Sequence, residues 1–322
     1  MVIVTNEIFS DAVVFDGDMD SYLKYLGKIN QTAAQRADEV VEVVYGIPVF
    51  HKSTDTCSKS CKIIHLTGLT YYEKEELINE IFMEYFKVAF AMFSKIPMPR
   101  ADWTKENMKY MFCFFPFIGT VIGGLTMLVA YLGLRFGYQP GFVTAVLVLV
   151  PVFVTGGIHV DGLLDTSDAL SSWQERSRRL EILKDSHAGA FAVITAAVYF
   201  IAWYGAYSQL FNSAENMRAI GILSLGFMVS RCLSGIGVIT FPKAKADGTV
   251  AEFSRNSSDV LSRNVLIVYL VLLAAGMILI RPVWGSLAFV GALLIFWYYH
   301  HIAMKYFGGT TGDISGVFSL YL

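Results

Sequence analysis

A short acidic segment, residues 156–168, carries the side chains whose types and spacing are best suited to chemistry. Asp161, Asp165 and Asp168 are four and three residues apart, so on a helix all three lie on one face, about one turn apart. Such a row of like charges repels itself unless a cation lies between them, and Mg²⁺ is the usual choice because it binds carboxylate and phosphate oxygens together. The spacing therefore predicts that the three aspartates bind metal and act in catalysis with His159, which would either serve as a general base or orient a carboxylate. A solvated acidic helix face is the alternative.

Two further polar residues adjoin apolar runs. Asp185 precedes the run 190–211, where it would either cap the helix or contribute to a metal or substrate site. Arg231 is the only charged residue of the run 219–241. A guanidinium inside a membrane span needs a carboxylate or a phosphate as its partner, and its planar fork suits bidentate phosphate binding. We expect Arg231 to bind substrate phosphate, with pairing to an aspartate as the alternative.

The glycine-rich segment 308–316 supplies another polar element near the end of the chain. Backbone amides of such a segment can reach a phosphate, so Gly309 and Gly312 are predicted to bind substrate. Asp313 lies in the same segment and is predicted to be a further metal ligand. Asn256, in the loop after the Arg231 run, is predicted to add a substrate contact. The alternative for the glycine segment is an ordinary turn between two membrane helices.

The composition places these residues in a membrane protein. The 322 residues are 55% hydrophobic and only 16% charged, whereas about 25% are charged in a typical soluble domain. We therefore predict an all-α integral membrane protein, a polytopic helical bundle in the lipid bilayer, for which an oligomer is possible. The net charge of −2 gives no case for a nucleic-acid partner. Six apolar runs are candidate spans: 110–134, 141–158, 190–211, 219–241, 265–280 and 283–302.

The basic residues predict which way the polar clusters face. If the segment before the first span lies in the cytoplasm, alternation places 159–189, 242–264 and the end of the chain on the same side. These segments hold most of the Lys and Arg residues, and the opposite loops hold only Arg135, Arg218 and Arg281. This distribution follows the positive-inside rule. It predicts a multi-pass protein of the cytoplasmic (inner) membrane whose active site faces the cytoplasm.

The chain before the spans has a different character. Residues 1–68 combine a predicted strand at 2–5, a helix beginning at Gly27 and a β-rich run at 40–44, which together are too few to bury a core. We interpret this segment as a truncated α/β domain. A charged linker, 69–80, is predicted to join it to the membrane domain, 81–322.

Two local patterns flank the junction between these parts. Residues 81–96 are predicted to form an amphipathic helix at the membrane surface. His51, Cys57, Cys61 and His65 have a spacing compatible with zinc, but the Ser, Thr and Lys residues between them favour a loose linker.

The motifs resemble those of one family. The segments 93–99, 180–189 and 308–316 are similar to conserved stretches of the cobalamin synthase family, the adenosylcobinamide-GDP ribazoletransferases, and the resemblance runs from about residue 77 to the end of the chain. The segment from Thr155 to Leu170, which contains His159 and the three aspartates, resembles the signature of the same family. The segment 27–48 resembles the C-terminal third of the adenosylcobinamide kinase/guanylyltransferase family, which makes the substrate of the first family.

The resemblance implies a reaction. A member of this family joins α-ribazole, or α-ribazole 5′-phosphate, to adenosylcobinamide-GDP and releases GMP, which is the nucleotide loop assembly step of cobalamin biosynthesis. The product is adenosylcobalamin or its 5′-phosphate, and Mg²⁺ is the implied cofactor. Because the family continues past the glycine-rich segment into another apolar segment, we expect the membrane domain to be truncated at its C-terminal end.

Two alternative functions follow from the residues alone. One is a membrane transferase of the CDP-alcohol phosphotransferase type, which also binds a metal diphosphate through spaced aspartates. The other is a transporter, whose charged groups should lie near the middle of the bilayer on broken helices. Most of the polar clusters here fall at one predicted membrane surface instead, which favours surface chemistry on a charged substrate.

Overall fold

The computed structural model describes residues 40–44, 47–52, 71–185, 187–211, 216–244 and 259–321. The chain divides into two compact units, 1–71 and 72–322. In the first, strands β1 (Val40–Val44) and β2 (Ile47–Lys52) form an antiparallel hairpin. β1 coincides with the predicted β-rich run. β2 was not predicted, because Pro48 was expected to end the β-rich run. An edge strand, however, tolerates a proline. The strand at 2–5, the helix from Gly27 and the two candidate zinc cysteines lie outside the described residues.

The described part of the second unit is helical. Its helices, in chain order, are α1 (Tyr71–Phe93), α2 (Lys105–Met108), α3 (Met111–Arg135), α4 (Pro140–Thr155), α5 (Ile158–Ser171), α6 (Arg176–Ile182), α7 (Ala190–Ser208), α8 (Asn216–Thr240), α9 (Asp259–Ile280), α10 (Pro282–Ile302) and α11 (Gly312–Tyr321). A 3₁₀ turn, Gln209–Phe211, extends α7, and a π-helical turn, Ala303–Phe307, extends α10.

The predicted polytopic architecture is confirmed. Among the described residues, α3, α7, α8, α9 and α10 are each long and apolar enough to cross a membrane. Helices α4 and α5 pass the same test only as a pair, and the pair is bent by 92°. The protein is therefore a multi-pass helical membrane protein, and its described part holds five candidate spans, or six if the bent pair counts as one.

The bend between α4 and α5 corrects one predicted boundary. The span predicted over 141–158 ends at Thr155, because Gly156 and Gly157 both adopt left-handed backbone angles, with φ of 65° and 81°. Glycine adopts this conformation without the steric penalty that a side chain would add. The Gly157 N–H closes α4 by donating to the Val152 carbonyl at 3.0 Å. As a result α5, which carries the aspartates, turns away from the span instead of prolonging it.

The start of the second unit also differs from the prediction. The segment predicted as a linker, 69–80, is helical from Tyr71 onward, and its Glu and Lys residues are good helix formers. The predicted helix 81–96 thus corresponds to the second part of α1, which ends at Phe93. Val88, Ala89 and Phe90 near its end are buried in a core cluster with residues of α3 and α8.

Helices α3 and α8 approach each other closely. Gly119 and Gly123, one turn apart on α3, face the α8 backbone. A Cβ at Gly119 would lie 2.7 Å from the Met228 Cα, and one at Gly123 would lie 2.5 Å from the Ser224 carbonyl oxygen. Small residues at this spacing let membrane helices approach closely.

Enlarging Gly119 should therefore destabilise the bundle. We expect Gly119→Leu to lower the free energy of unfolding by about 1–3 kcal/mol, because backbone atoms of α8 cannot move aside as a side chain would. Thermal unfolding in detergent, with size-exclusion chromatography, measures the effect. Gly124→Leu is the matched control, since a Cβ at Gly124 meets no atom within 4 Å. Equal stability of the two variants would contradict the role given to Gly119.

Candidate active site

Helix α5 has two faces of opposite character. At about 100° per residue, Asp161, Asp165 and Asp168 fall within about 60° of one another, on the side of the helix opposite to His159. Asp161 is exposed, whereas His159 and Leu163 are buried. The predicted helix with its three aspartates on one face is present. His159 lies apart from the aspartates, on the buried side of α5, and its predicted role as a general base or as a group that orients a carboxylate stays a prediction.

The start of α11 packs against α5 beside the aspartates. A Cβ at Gly162 would lie 2.6 Å from the Asp313 carbonyl oxygen and 3.1 Å from the Asp313 Cα, so only glycine permits this approach. The Thr311 hydroxyl accepts a hydrogen bond from the Ile314 N–H at 3.3 Å and caps α11. Asp313 lies in the first turn of α11, and this contact brings it to the aspartates of α5.

Asp165 lies at the centre of this acidic face. It is half-buried, and the carboxylates of Asp161, Asp313, Asp168 and Asp185 all lie within electrostatic range of it. The structure thus brings together residues that are separated by up to 152 positions in the sequence, from 161 to 313. An accumulation of like charges around a partly buried carboxylate favours a cation at this face.

The carboxylates do not form a complete metal site by themselves. Within the described ranges, no group of three or more His, Cys, Asp or Glu side chains is arranged to hold a metal ion. Mg²⁺, however, usually retains several waters and is bound by one or two carboxylates together with substrate phosphates. The acidic face therefore fits a metal ion that is shared with a phosphorylated substrate better than one held in a cage of protein ligands.

Asp168 has a structural role that its spacing did not predict. Its Oδ2 accepts a hydrogen bond from the Gly189 N–H, and its Oδ1 accepts one from the Ala192 N–H at 2.9 Å. Gly189 is the N-cap residue of α7 and has no side chain to satisfy these amides. Asp168 therefore caps α7 from the neighbouring helix, and its role as a metal ligand stays a prediction.

Removal of this cap should be measurable. We expect Asp168→Ala to reduce stability by about 1–2 kcal/mol, since two amides at the start of α7 lose their acceptor. Asp168→Asn retains an acceptor oxygen and should cost less. Thermal unfolding of the two variants tests the cap. If Asp168→Ala is as stable as the wild type, the capping role is wrong, and the activity of a stable Asp168→Asn variant reports separately on metal binding.

Asp185 lies in the exposed loop before α7 and does not cap that helix. It accepts a hydrogen bond from the His187 N–H at 3.0 Å, and its carboxylate lies 2.8 Å from the His187 Nδ1. The hydrogen bond with the His187 side chain, together with that from its backbone, lowers the pKa of the Asp185 carboxyl. The alternative of a helix cap is thus corrected, and a substrate contact by Asp185 stays a prediction.

The glycine-rich loop is joined to the segment that follows α8. The Gly309 N–H donates to the Ala303 carbonyl at 3.0 Å, and the Thr310 N–H donates to the Pro242 carbonyl at 2.8 Å. Because these two amides are already engaged, the structure does not support the prediction that Gly309 offers its amide to a phosphate. Gly309 is instead required by close packing, since a Cβ there would lie 2.6 Å from the Lys243 carbonyl carbon. Gly312 is exposed at the start of α11, so its predicted substrate contact remains compatible with the structure.

Basic side chains beside this loop were not predicted as site residues. The guanidinium of Arg176, on exposed α6, lies directly against Gly308, which has a φ of 69°. The Arg179 guanidinium lies over the Tyr306 ring at 4.9 Å. The basic cluster at 176–179 is the sequence signal that could have identified them, although it entered the prediction only through the positive-inside rule. These side chains place positive charge beside the glycine loop.

Arg231 occupies a different place from the one predicted. It is 2% exposed, and its Nη1 donates to the Ser230 Oγ at 3.1 Å and to the Ser319 carbonyl at 3.3 Å. It lines a cavity together with His159, on the side of α5 away from the aspartates. Among the ion pairs of the described residues, none joins Arg231 to an aspartate. Asn256 lies outside the described residues.

These features define a class of protein: a polytopic helical membrane protein with an acidic helix face, a helix N-terminus and basic side chains at one end of the bundle. A family model described as cobalamin-5-phosphate synthase matches residues 85–321. The chain therefore belongs to the cobalamin-5-phosphate synthase family, as the sequence motifs predicted.

Individual relatives agree with the family match. A protein of Lachnoclostridium phytofermentans named adenosylcobinamide-GDP ribazoletransferase is 42% identical over 231 residues, which are 72% of this chain and 87% of that protein. A protein of Desulfitobacterium hafniense with the same name is 32% identical over 235 residues, 71% of this chain and 89% of that protein. No solved structure matches the chain significantly.

Proposed function

We propose that the chain joins α-ribazole, or α-ribazole 5′-phosphate, to adenosylcobinamide-GDP, releases GMP and so assembles the nucleotide loop of cobalamin. The product is adenosylcobalamin or its 5′-phosphate. The observation that carries this proposal is the meeting of α5 and α11, which places Asp161, Asp165 and Asp313 at one face in a member of this family. Relatives that share most of their length with this chain are named for the same reaction.

The acidic face would bind a metal ion together with the substrate. Asp161 and Asp165 would hold Mg²⁺ with Asp313 beside them, and the diphosphate of adenosylcobinamide-GDP and water would complete the ligands. When bound, Mg²⁺ neutralises charge on the diphosphate during phosphoryl transfer. Arg176, exposed beside Gly308, is placed to accompany the incoming phosphates, because its planar fork suits phosphate oxygens.

The protein residues contribute by positioning and by electrostatics. Phosphoryl transfer needs little covalent chemistry from a protein, so the placement of charges decides the rate. The contact of Gly162 with Asp313 holds the two acidic elements together. The cap that Asp168 provides holds the start of α7 against α5, next to the acidic face.

The location proposed for this site is the cytoplasmic face of the inner membrane. The distribution of Lys and Arg among the loops supports it. His187, in the exposed loop before α7, provides a marker because its side chain is 90% exposed. In spheroplasts, a membrane-impermeant maleimide should leave the variant His187→Cys unlabelled until the membrane is opened. Labelling of this position in intact spheroplasts would show that the loop faces the outside, opposite to the proposed orientation.

A reconstituted reaction tests the function. The protein in phosphatidylcholine nanodiscs, with Mg²⁺, adenosylcobinamide-GDP and α-ribazole 5′-phosphate, should release GMP in equal amount to the corrinoid product, as measured by chromatography and mass spectrometry. Omission of the ribazole substrate is the control and should prevent GMP release. If the protein binds both substrates and forms no joined corrinoid, the proposed function is wrong.

A further inference from the structure

A cavity of about 540 Å³ lies among α4, α5, α7, α8 and α11. It follows α7 from Ile194 to Tyr207, a helical distance of about 20 Å. Its walls are mostly apolar and include the rings of Tyr199, Trp203 and Phe227. A cavity of this size is comparable to the pockets that enclose small organic ligands.

The polar groups of this cavity are buried and incompletely paired. His159 is 6% exposed, and its Nε2 has no hydrogen-bond partner among the described residues. Arg231 is 2% exposed, and although its Nη1 is bonded to Ser230 and Ser319, its Nε has no such partner. No Asp or Glu is among the described residues that line the cavity. A buried guanidinium without a carboxylate is costly, and an anion would satisfy it.

The ends of the cavity differ in a way that indicates the shape of a ligand. Arg231 provides a cationic end, and the His159 imidazole lies in the same cavity. Tyr199, whose hydroxyl donates to the Leu320 carbonyl at 3.1 Å, stands next to it, and the rings of Trp203 and Tyr207 continue the wall further along α7. An anion at one end and an apolar body along the rings would match these walls.

We propose that this cavity binds an anionic amphiphile, a phosphate monoester whose charged group pairs with Arg231 and whose apolar body lies along α7. Two sources share this chemistry: a single-chain lipid phosphate and an aromatic nucleotide such as α-ribazole 5′-phosphate, whose benzimidazole ring is apolar. The site is distinct from the acidic face, since His159 and the aspartates lie on opposite sides of α5. Only the second source rests on the proposed function.

Binding measurements without Mg²⁺ and without adenosylcobinamide-GDP test the proposal. Isothermal titration in phosphatidylcholine nanodiscs compares two matched pairs of probes: dodecyl phosphate with dodecanol, and α-ribazole 5′-phosphate with α-ribazole. We expect at least one phosphorylated probe to bind at least about tenfold more tightly than its neutral counterpart, as charge-assisted hydrogen bonds are the stronger ones. Arg231→Met should reduce that preference to less than about threefold.

A second variant tests the cavity independently, in case the Arg231→Met protein does not fold. Ala202 lines the cavity on α7, and Ala202→Trp should fill it and abolish binding while Arg231 remains in place. Circular dichroism and size-exclusion chromatography establish that both variants fold. The proposal is overturned if neither phosphorylated probe is preferred, or if a folded Arg231→Met or Ala202→Trp protein binds as the wild type does.

The outcomes separate this proposal from the proposed function. Asp165→Asn, on the opposite side of α5, should leave binding to the cavity unchanged. If the phosphorylated probe binds through Arg231 but no GMP is released in the reconstituted reaction, only the proposed function fails. If GMP is released at the normal rate while the cavity binds neither probe, only the cavity proposal fails. Competition between the two phosphorylated probes shows whether lipid and nucleotide share the site.

Discussion

Asp165→Asn should reduce the rate of GMP release on the order of 10³-fold while the protein remains folded. Asp165 is half-buried at the centre of the acidic face, with the charges of Asp161 and Asp313 close by. Asparagine keeps the shape of the side chain but removes the charge that a cation would neutralise. Because the substitution also relieves repulsion between like charges, the melting temperature should be equal to that of the wild type or higher. Initial rates of GMP release and thermal unfolding measure the two effects.

The control for this variant removes a carboxylate elsewhere on the same side of the protein. Glu181, on α6, is exposed and pairs with Arg178 at 2.6 Å. Glu181→Gln should retain a rate within about twofold of the wild type, since exposed ion pairs contribute little. A wild-type rate for Asp165→Asn, or equal losses for the two variants, would remove Asp165 from the site.

Gly162→Val should have the second largest effect. A Cβ at this position would meet the carbonyl oxygen and Cα of Asp313, both of them backbone atoms that cannot rotate away. The start of α11 would have to move away from α5 by an ångström or so, and a displacement of that size can cost about 10²-fold in rate. We expect a loss of about that size in kcat/KM for adenosylcobinamide-GDP, with moderate loss of stability. Steady-state kinetics and thermal unfolding measure both.

A glycine without close neighbours provides the comparison. Gly205 lies on α7, and a Cβ there meets no atom within 4 Å. Gly205→Val should therefore keep its activity even though it adds the same side chain to a helix. If Gly162→Val is as active as Gly205→Val, the contact between α5 and α11 does not position the site.

The sequence was sufficient for the spans and for the acidic face, because both depend on local spacing. Apolar runs determine where helices cross a membrane, and the four- and three-residue intervals place the aspartates on one side of α5. The same helical arithmetic puts His159 on the other side, so this residue's position could also have been predicted. The bend at Gly156 was not, since glycine also occurs frequently inside membrane helices.

Other roles depend on residues that are distant in the chain. Asp168 caps α7 because Gly189 folds next to it, 21 positions later. Arg231 is held by the Ser319 carbonyl, 88 positions away. Neither contact has a signature in the local sequence. The spacing of Asp168 and the isolated charge of Arg231 in an apolar run therefore assigned both side chains to the same phosphate site. The first contact depends on the packing of α7 against α5, and the second depends on the packing of α11 against α8.

Spectroscopy of a bound metal ion tests the central claim, that Asp161 and Asp165, with Asp313 beside them, hold a metal ion shared with the substrate diphosphate. Mn²⁺ can replace Mg²⁺ as an electron paramagnetic resonance probe, and electron–nuclear double resonance detects phosphorus near it. With adenosylcobinamide-GDP bound, the wild-type protein should show tightly bound Mn²⁺ coupled to ³¹P, and Asp165→Asn should lose most of this signal. A substrate that binds equally well without metal, with no phosphorus coupling in the wild type, would contradict the account.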